Sequence, residues 1–140
     1  MNEQISFLPM LDDAEHPDWL LNGKQGIPNR CGVYTENVLE FREGSIPHVY
    51  VCIELCAVGD MVVYDYSYSV GAYGCGHPLY ERSHTCHRSN SAKALADCIY
   101  NVFVNSVLPF DGNLRNYKKE TKKLEKLCRK ACDRIAEEVT

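Results

Sequence analysis

Long hydrophobic runs are missing from this 140-residue chain. Its apolar stretches are interrupted by Asp, Glu, Ser or Gly within about ten residues, whereas a membrane-spanning helix needs about 20. The opening residues, MNEQISFLPMLDD, carry no basic segment and only a very short apolar run, so they do not resemble a secretory signal. We therefore expect a cytoplasmic protein with no membrane segment.

Internal repeats and low-complexity segments are absent as well, which argues against a repeat architecture. Apolar residues make up 45% of the chain and charged residues 24%, a composition typical of globular proteins rather than disordered ones. A chain of this length can bury a hydrophobic core without disulfide bonds. The composition therefore predicts a single domain over residues 1–140.

Cysteine, in contrast, is abundant, with eight residues. In a reducing compartment cysteines serve as core residues, metal ligands or reactive thiols, and we expect all eight to be reduced or metal-bound. In a secreted protein the same even number would instead suit disulfide bonds.

The net charge of −4 conceals an uneven distribution. Residues 1–112 hold 6 Lys/Arg and 14 Asp/Glu, a balance of −8, whereas residues 113–140 hold 9 basic and 5 acidic residues, a balance of +4. We divide the domain into an N-terminal arm (1–13), an acidic body (14–112) and a C-terminal basic helix (113–140). Each charged part could contact a partner of opposite charge.

Alternating apolar and polar residues predict three strands, at Cys31–Phe41, His48–Val58 and Asp60–Val70. The short turn at Gly59 makes the last two an antiparallel hairpin. The segment 71–90 is predicted to be a long loop or a distorted hairpin.

Two helices complete the predicted fold. Ser89 or Ser91 caps a helix that runs to about Ser106, and apolar residues at spacings of three and four predict an amphipathic helix from about Asn113 to Glu138. The fold class is therefore α+β, with a small antiparallel sheet of about three strands packed by a helix and followed by a C-terminal amphipathic helix.

Residues 75–87 contain a dense group of metal-ligating residue types: Cys75, His77, His84, Cys86 and His87. A structural zinc ion takes four such ligands in a tetrahedron. Cys75 and His77 flank a glycine and could face one point, while Cys86 with His84 or His87 could complete the set. The spacing matches no zinc-finger pattern, so the prediction of zinc depends on the density of ligands alone.

Other interpretations of the cysteines stay open. Residues 75–87 could be a polar loop, or Cys75 or Cys86 could act as a nucleophile with a histidine base. Further ligands could come from Cys31 or from the Cys52/Cys56 pair. The helical cysteines at 98, 128 and 132 are typical core residues, although Cys128 and Cys132 are spaced for metal chelation.

Two surfaces have the composition of nucleic-acid contacts. The C-terminal helix carries nine Lys and Arg residues, which either form a solvated face or bind nucleic acid or an acidic protein. Tyr64, Tyr66 and Tyr68 share one strand face and could stack on bases. Because no basic residues lie among these tyrosines, we predict that they pack in the core or in an interface.

Two resemblances concern interaction partners. The peptide Gln4-Ile5-Ser6-Phe7-Leu8 resembles the motif by which bacterial replication proteins bind the sliding clamp, with Phe-Leu in place of the usual Leu-Phe; an arm packed on its own body is the alternative. In size, acidic body and predicted elements, the chain resembles small phage and mobile-element proteins, including anti-CRISPR inhibitors, and β-β-β-α antitoxin-like modules.

These patterns lead to three functional hypotheses. The first is a zinc-stabilised, non-enzymatic inhibitor that occupies the surface of a larger, nucleic-acid-handling protein, because an acidic body suits a basic groove. The second is a nucleic-acid-binding accessory protein that uses the C-terminal helix. The third is a thiol- or metal-dependent enzyme with its site at residues 75–87.

Overall fold

A computed structural model of the chain describes residues 19–45, 48–87 and 91–138. Helices and antiparallel sheets both occur, so the α+β class predicted from the sequence is confirmed. The predicted N-terminal arm and its clamp-like peptide at 4–8 lie outside the described residues. None of the described helices is both long and apolar enough to cross a membrane.

The described residues form seven strands and two α-helices. The strands are β1 (Ile27–Pro28), β2 (Tyr34–Glu36), β3 (Leu39–Gly44), β4 (Val49–Val58), β5 (Met61–Val70), β6 (Gly74–Gly76) and β7 (His84–His87). The helices are α1 (Ala92–Val102), which continues as a π-helical turn over Phe103–Val107, and α2 (Lys118–Glu138). Short 3₁₀ turns span Leu21–Gly23 and Gly112–Asn116.

The main sheet has five strands rather than the three predicted. Its order is β3-β4-β5-β6, with β7 also paired to β5, and β1 and β2 form a separate two-stranded sheet. The prediction was wrong because the segment 71–90 contributes two short edge strands. The predicted strand Cys31–Phe41 is also divided, since Asn37 has a φ of 58° and ends β2 before β3 begins.

The β4–β5 hairpin is confirmed, with Val58 directly opposite Met61. Gly59 has a φ of 64°, the left-handed conformation that two-residue hairpin loops favour and that glycine adopts without steric strain. Because side chains alternate along a strand, this register fixes which residues of both strands face the helices.

One face of the sheet, the inner face, packs against α1 and α2. Val51, Ile53 and Leu55 of β4 lie there beside the three strand tyrosines, all of them buried. The helices add the following buried residues: Leu95, Ile99, Phe103, Leu124, Cys128, Ala131, Cys132 and Ile135. The predicted core packing of the tyrosines and the amphipathic stripe of the last helix are therefore confirmed.

The opposite face of the sheet, the outer face, carries a smaller apolar cluster. Cys56, Val63 and Leu79 are buried there, with Tyr34 and Val38 packed against them. The segment between β6 and β7 supplies Leu79, so it covers part of this face. The helices thus bury the inner face, and the segment between β6 and β7 buries part of the outer face.

Candidate functional site

The Cys/His segment lies along one side of β5. Cys75 of β6 is opposite Tyr68, whereas Cys86 of β7 is opposite Val62. Six residues of extended strand correspond to about 20 Å, at about 3.3 Å per residue. A zinc ion with thiolate ligands at about 2.3 Å cannot contact both positions.

Within this segment, Cys75 and His77 meet, with Sγ and Nε2 3.6 Å apart, as their flanking position around Gly76 suggested. The ring of His84 instead stacks on Tyr64, with centroids 5.5 Å apart. His87 pairs with Met61 in the strand register. In the described parts of the chain, no three Cys, His, Asp or Glu side chains are grouped so that they could hold a metal ion. The zinc centre with these five ligands remains a prediction.

The remaining cysteines are thiols with different surroundings. Burial raises the pKa of Cys56 to about 12, and burial together with the carboxylate of Glu40 raises the pKa of Cys52 to about 12. Both side chains are therefore protonated at neutral pH, which makes them poor nucleophiles. Cys128 and Cys132 lie in the core with their sulfur atoms 4.0 Å apart, as core packing predicted.

Carboxylates form a row across the outer face of the sheet. Glu40, Glu54 and Asp65 lie directly opposite one another on β3, β4 and β5. Burial, followed by the charges of Glu40 and Asp65, raises the pKa of Glu54. Asp65 is itself buried and accepts a hydrogen bond of 2.7 Å from the Ser83 hydroxyl. Two acidic residues of the body, Glu54 and Asp65, are thus at least half-buried.

Other acidic residues of the body also have internal partners. Glu43 lies 2.9 Å from Arg134, and Asp97 lies 3.7 Å from both Lys93 and Arg129. Fewer carboxylates are therefore free to contact a partner than the charge balance of residues 1–112 suggested.

The basic residues of α2 fall into two groups. Arg129 pairs with Asp97 and Asp133 and lies over the ring of Tyr100, and Arg134 pairs with Glu43 and Glu138. The second group, which we call the lysine face, consists of six exposed residues: Lys118, Lys119, Lys122, Lys123, Lys126 and Lys130. Among the described residues, none of these six has a carboxylate within 4.0 Å.

The lysine face is held in position by the opposite side of the same helix. Leu124, Cys128 and Ile135 are fully buried against the sheet and α1, so α2 cannot rotate without opening the core. From Lys118 to Lys130 the face extends about 18 Å, at 1.5 Å per residue. The sequence predicted this cluster of charge but could not show which cations also pair with the body, because Asp97 and Glu43 are distant from α2 in the chain.

Fold and site together define a small α+β protein with a cationic helix face whose six lysines have no carboxylate partner among the described residues. Comparison of the chain with protein-family models, curated proteins and solved structures finds no match.

Proposed function

We propose that this protein is a nucleic-acid-binding accessory protein that uses the lysine face of α2. The observation that supports the proposal is a contrast within one helix: in the part of the chain that the structure describes, Arg129 and Arg134 are paired with carboxylates, and the six lysines are not. An unpaired ammonium group on a fixed helix can approach a phosphate without first breaking an internal ion pair.

The physical driving force is the release of counterions from the nucleic acid. Each phosphate neutralised by a lysine releases condensed cations, so affinity falls as salt rises. On duplex DNA, each contact contributes about −0.9 to the slope of log K against log salt. An α-helix also fits the major groove, which is about 12 Å wide. The acidic body lies behind the helix and would repel other phosphates, which favours one orientation of the bound strand.

The affinity for a labelled DNA duplex, measured by fluorescence anisotropy at several salt concentrations, tests the proposal. A range of about 50 to 200 mM salt is suitable, because phosphate contacts change the affinity strongly over it. Six contacts predict a slope of log K against log salt of about −5, and the variant Lys118→Gln/Lys119→Gln/Lys122→Gln/Lys123→Gln should lower its magnitude to about 2.

A matched control removes the same number of charges from the body, as Lys24→Gln/Arg30→Gln/Arg82→Gln/Lys93→Gln. All four of these side chains are exposed. The control should keep the slope of the parent, because these residues are not on α2. If both quadruple variants weaken binding equally, net charge rather than the lysine face is responsible, and the proposal is wrong.

A second candidate function is the occupation of a basic groove on a larger, nucleic-acid-handling protein, as a phage-type inhibitor such as an anti-CRISPR protein would do. The carboxylate row on the outer face favours it, because Glu40 is exposed and belongs to that row. The lysine variant separates the two functions. An inhibitor that binds through its acidic body keeps its activity when the four lysines are replaced.

Both functions fit a cytoplasmic protein. No disulfide bond joins any of the eight cysteines, all of which lie in the described residues, and this suits a reducing compartment. Alkylation of freshly lysed cells followed by mass measurement of the intact chain tests this point, and bridges among several cysteines would contradict it.

A further inference from the structure

Phe110 projects into water from the turn that connects the two helices. Its side chain is 81% exposed, although Leu108 and Leu114 on either side are each only 5% exposed and belong to the core. Exposed apolar residues are common singly, so exposure alone says little. The surroundings of this residue give it significance.

The turn that carries Phe110 is fixed to the sheet. One carboxylate oxygen of Asp111, Oδ2, accepts hydrogen bonds from the hydroxyls of Tyr68 at 2.6 Å and Tyr73 at 2.9 Å. The other, Oδ1, accepts from the backbone N–H of Asn113 at 3.0 Å. The backbone is therefore anchored on both sides of Phe110, by buried Leu108 before it and by Asp111 after it. Because this backbone is already ordered, a ligand that binds the exposed ring loses little free energy in ordering it.

A cleft of about 470 Å³ lies beside this turn. Leu108, Pro109 and Leu114 supply its apolar lining, and the neighbouring wall carries Arg115, Lys118 and Lys122. Lys118 and Lys122 also belong to the lysine face, so the cleft and the exposed aromatic lie at the N-terminal end of that face. The cleft also contains Asp111 and Glu125, of which Asp111 is already hydrogen-bonded to the two tyrosines.

We infer that this end of α2 binds single-stranded nucleic acid, with a base stacked on Phe110 and the adjoining phosphates on Arg115, Lys118 and Lys122. This inference rests on the proposed function and adds single strands to the duplex as ligands of the lysine face. The combination of a cationic surface with an exposed aromatic ring is how proteins hold single strands without sequence preference. A base in a duplex has both faces covered by its neighbours, so an aromatic side chain outside the duplex cannot stack on it.

The test compares a 12-residue oligo(dT) strand with a DNA hairpin duplex, for the parent, Phe110→Ala and Phe110→Trp. Loss of one stacked base should weaken single-strand binding by about 5- to 150-fold in the alanine variant. Duplex binding and the salt slope should stay unchanged, because no phosphate contact is lost. The tryptophan variant should bind the single strand at least as tightly as the parent. Since Phe110 is exposed, none of these changes should alter the melting temperature.

The possible outcomes separate this inference from the proposed function. If the parent shows the expected salt slope but Phe110→Ala binds the single strand as tightly, the stacking site is wrong and the lysine face stands. If the parent binds neither form of DNA, the lysine-face function is wrong and the stacking site falls with it. Salt-sensitive binding of poly-glutamate in place of both DNA forms would overturn both and indicate an acidic protein partner.

Discussion

Glu54 lies directly opposite Asp65 across the β4–β5 ladder, and both carboxyl groups are on the outer face of the sheet. Burial and the charges of Glu40 and Asp65 raise the pKa of Glu54 above its ordinary value. An acid whose pKa is raised by folding ionises less readily in the native state than in the unfolded state. Its ionisation therefore destabilises the fold as pH rises above the unfolded pKa.

Glu54→Gln should therefore increase the free energy of unfolding at pH 7, by about 0.2–1 kcal/mol, the range for directly opposed pairs on neighbouring strands. Urea unfolding followed by circular dichroism measures the change. The gain should vanish below pH 4, at about the ordinary pKa of glutamic acid, where the parent carboxyl is also protonated. Glu36→Gln is the control, because Glu36 is exposed and pairs with Ile27 instead of another acid. An equal gain in both variants would contradict the explanation.

Asp111 should give the opposite dependence on pH. Burial alone would raise the pKa of Asp111, but hydrogen bonds from Tyr68, Tyr73 and Asn113 outweigh it and lower the pKa. Its stabilising contribution is present above the unfolded pKa of about 3.9 and is lost as pH falls through the lower, folded value. Asp111→Asn should cost about 1–3 kcal/mol at pH 7 and progressively less in acid, as measured by urea unfolding at several pH values. An equal cost at every pH would mean that the ionised carboxylate is not what stabilises the turn.

The C-terminal helix should be part of the folding unit rather than a separable basic tail. Leu124 is fully buried between the sheet and α1. Leu124→Ala should lower the free energy of unfolding by about 2–5 kcal/mol, because it leaves a cavity in the core. Lys126→Ala, two residues away on the exposed face, should change it by less than about 0.5 kcal/mol. Similar values for both variants in thermal unfolding would show that α2 is not packed as described.

Energetic coupling between Cys75 and Cys86 tests the zinc prediction. The two positions are about 20 Å apart along β5, so Cys75→Ser and Cys86→Ser should have additive effects on stability within about 0.5 kcal/mol. Substitutions of two ligands of one structural metal ion have strongly non-additive effects on stability. The first substitution already removes the stabilisation that the ion provides, so the second removes little more. Non-additive effects together with about one zinc per purified chain would establish a shared centre and require a different path for residues 77–83.

The sequence predicted the parts of the fold that have strong local signals. The hairpin was visible because Val51, Ile53 and Leu55 alternate with polar residues, and α1 because Ser91 precedes a helical apolar pattern. Ser91 indeed accepts a hydrogen bond of 3.1 Å from the Ala94 N–H. The edge strands β6 and β7 were missed because three or four residues carry too little periodicity.

The geometry of the candidate metal site depends on the tertiary structure for a related reason. The density of Cys and His in residues 75–87 is visible in the sequence, but the distance between its two halves depends on their separate pairing with β5. The exposure of Phe110 was equally invisible, because Leu108 and Leu114 beside it have the same apolar character and are buried. Only the tertiary structure shows that Leu108 and Leu114 are buried and that Phe110 is exposed.

The division of one edge of the sheet between β6 and β7 has a consequence for solubility. A long, flat edge strand offers unpaired backbone groups to other chains and promotes aggregation. Here the edge beside β5 is covered by strands of three and four residues, separated by a segment that turns away to bury Leu79. At the opposite edge, the guanidinium of Arg134 donates a hydrogen bond to the backbone carbonyl of Arg42 on β3. Both edges therefore offer other copies of the chain less continuous unpaired backbone than one long, flat edge strand would.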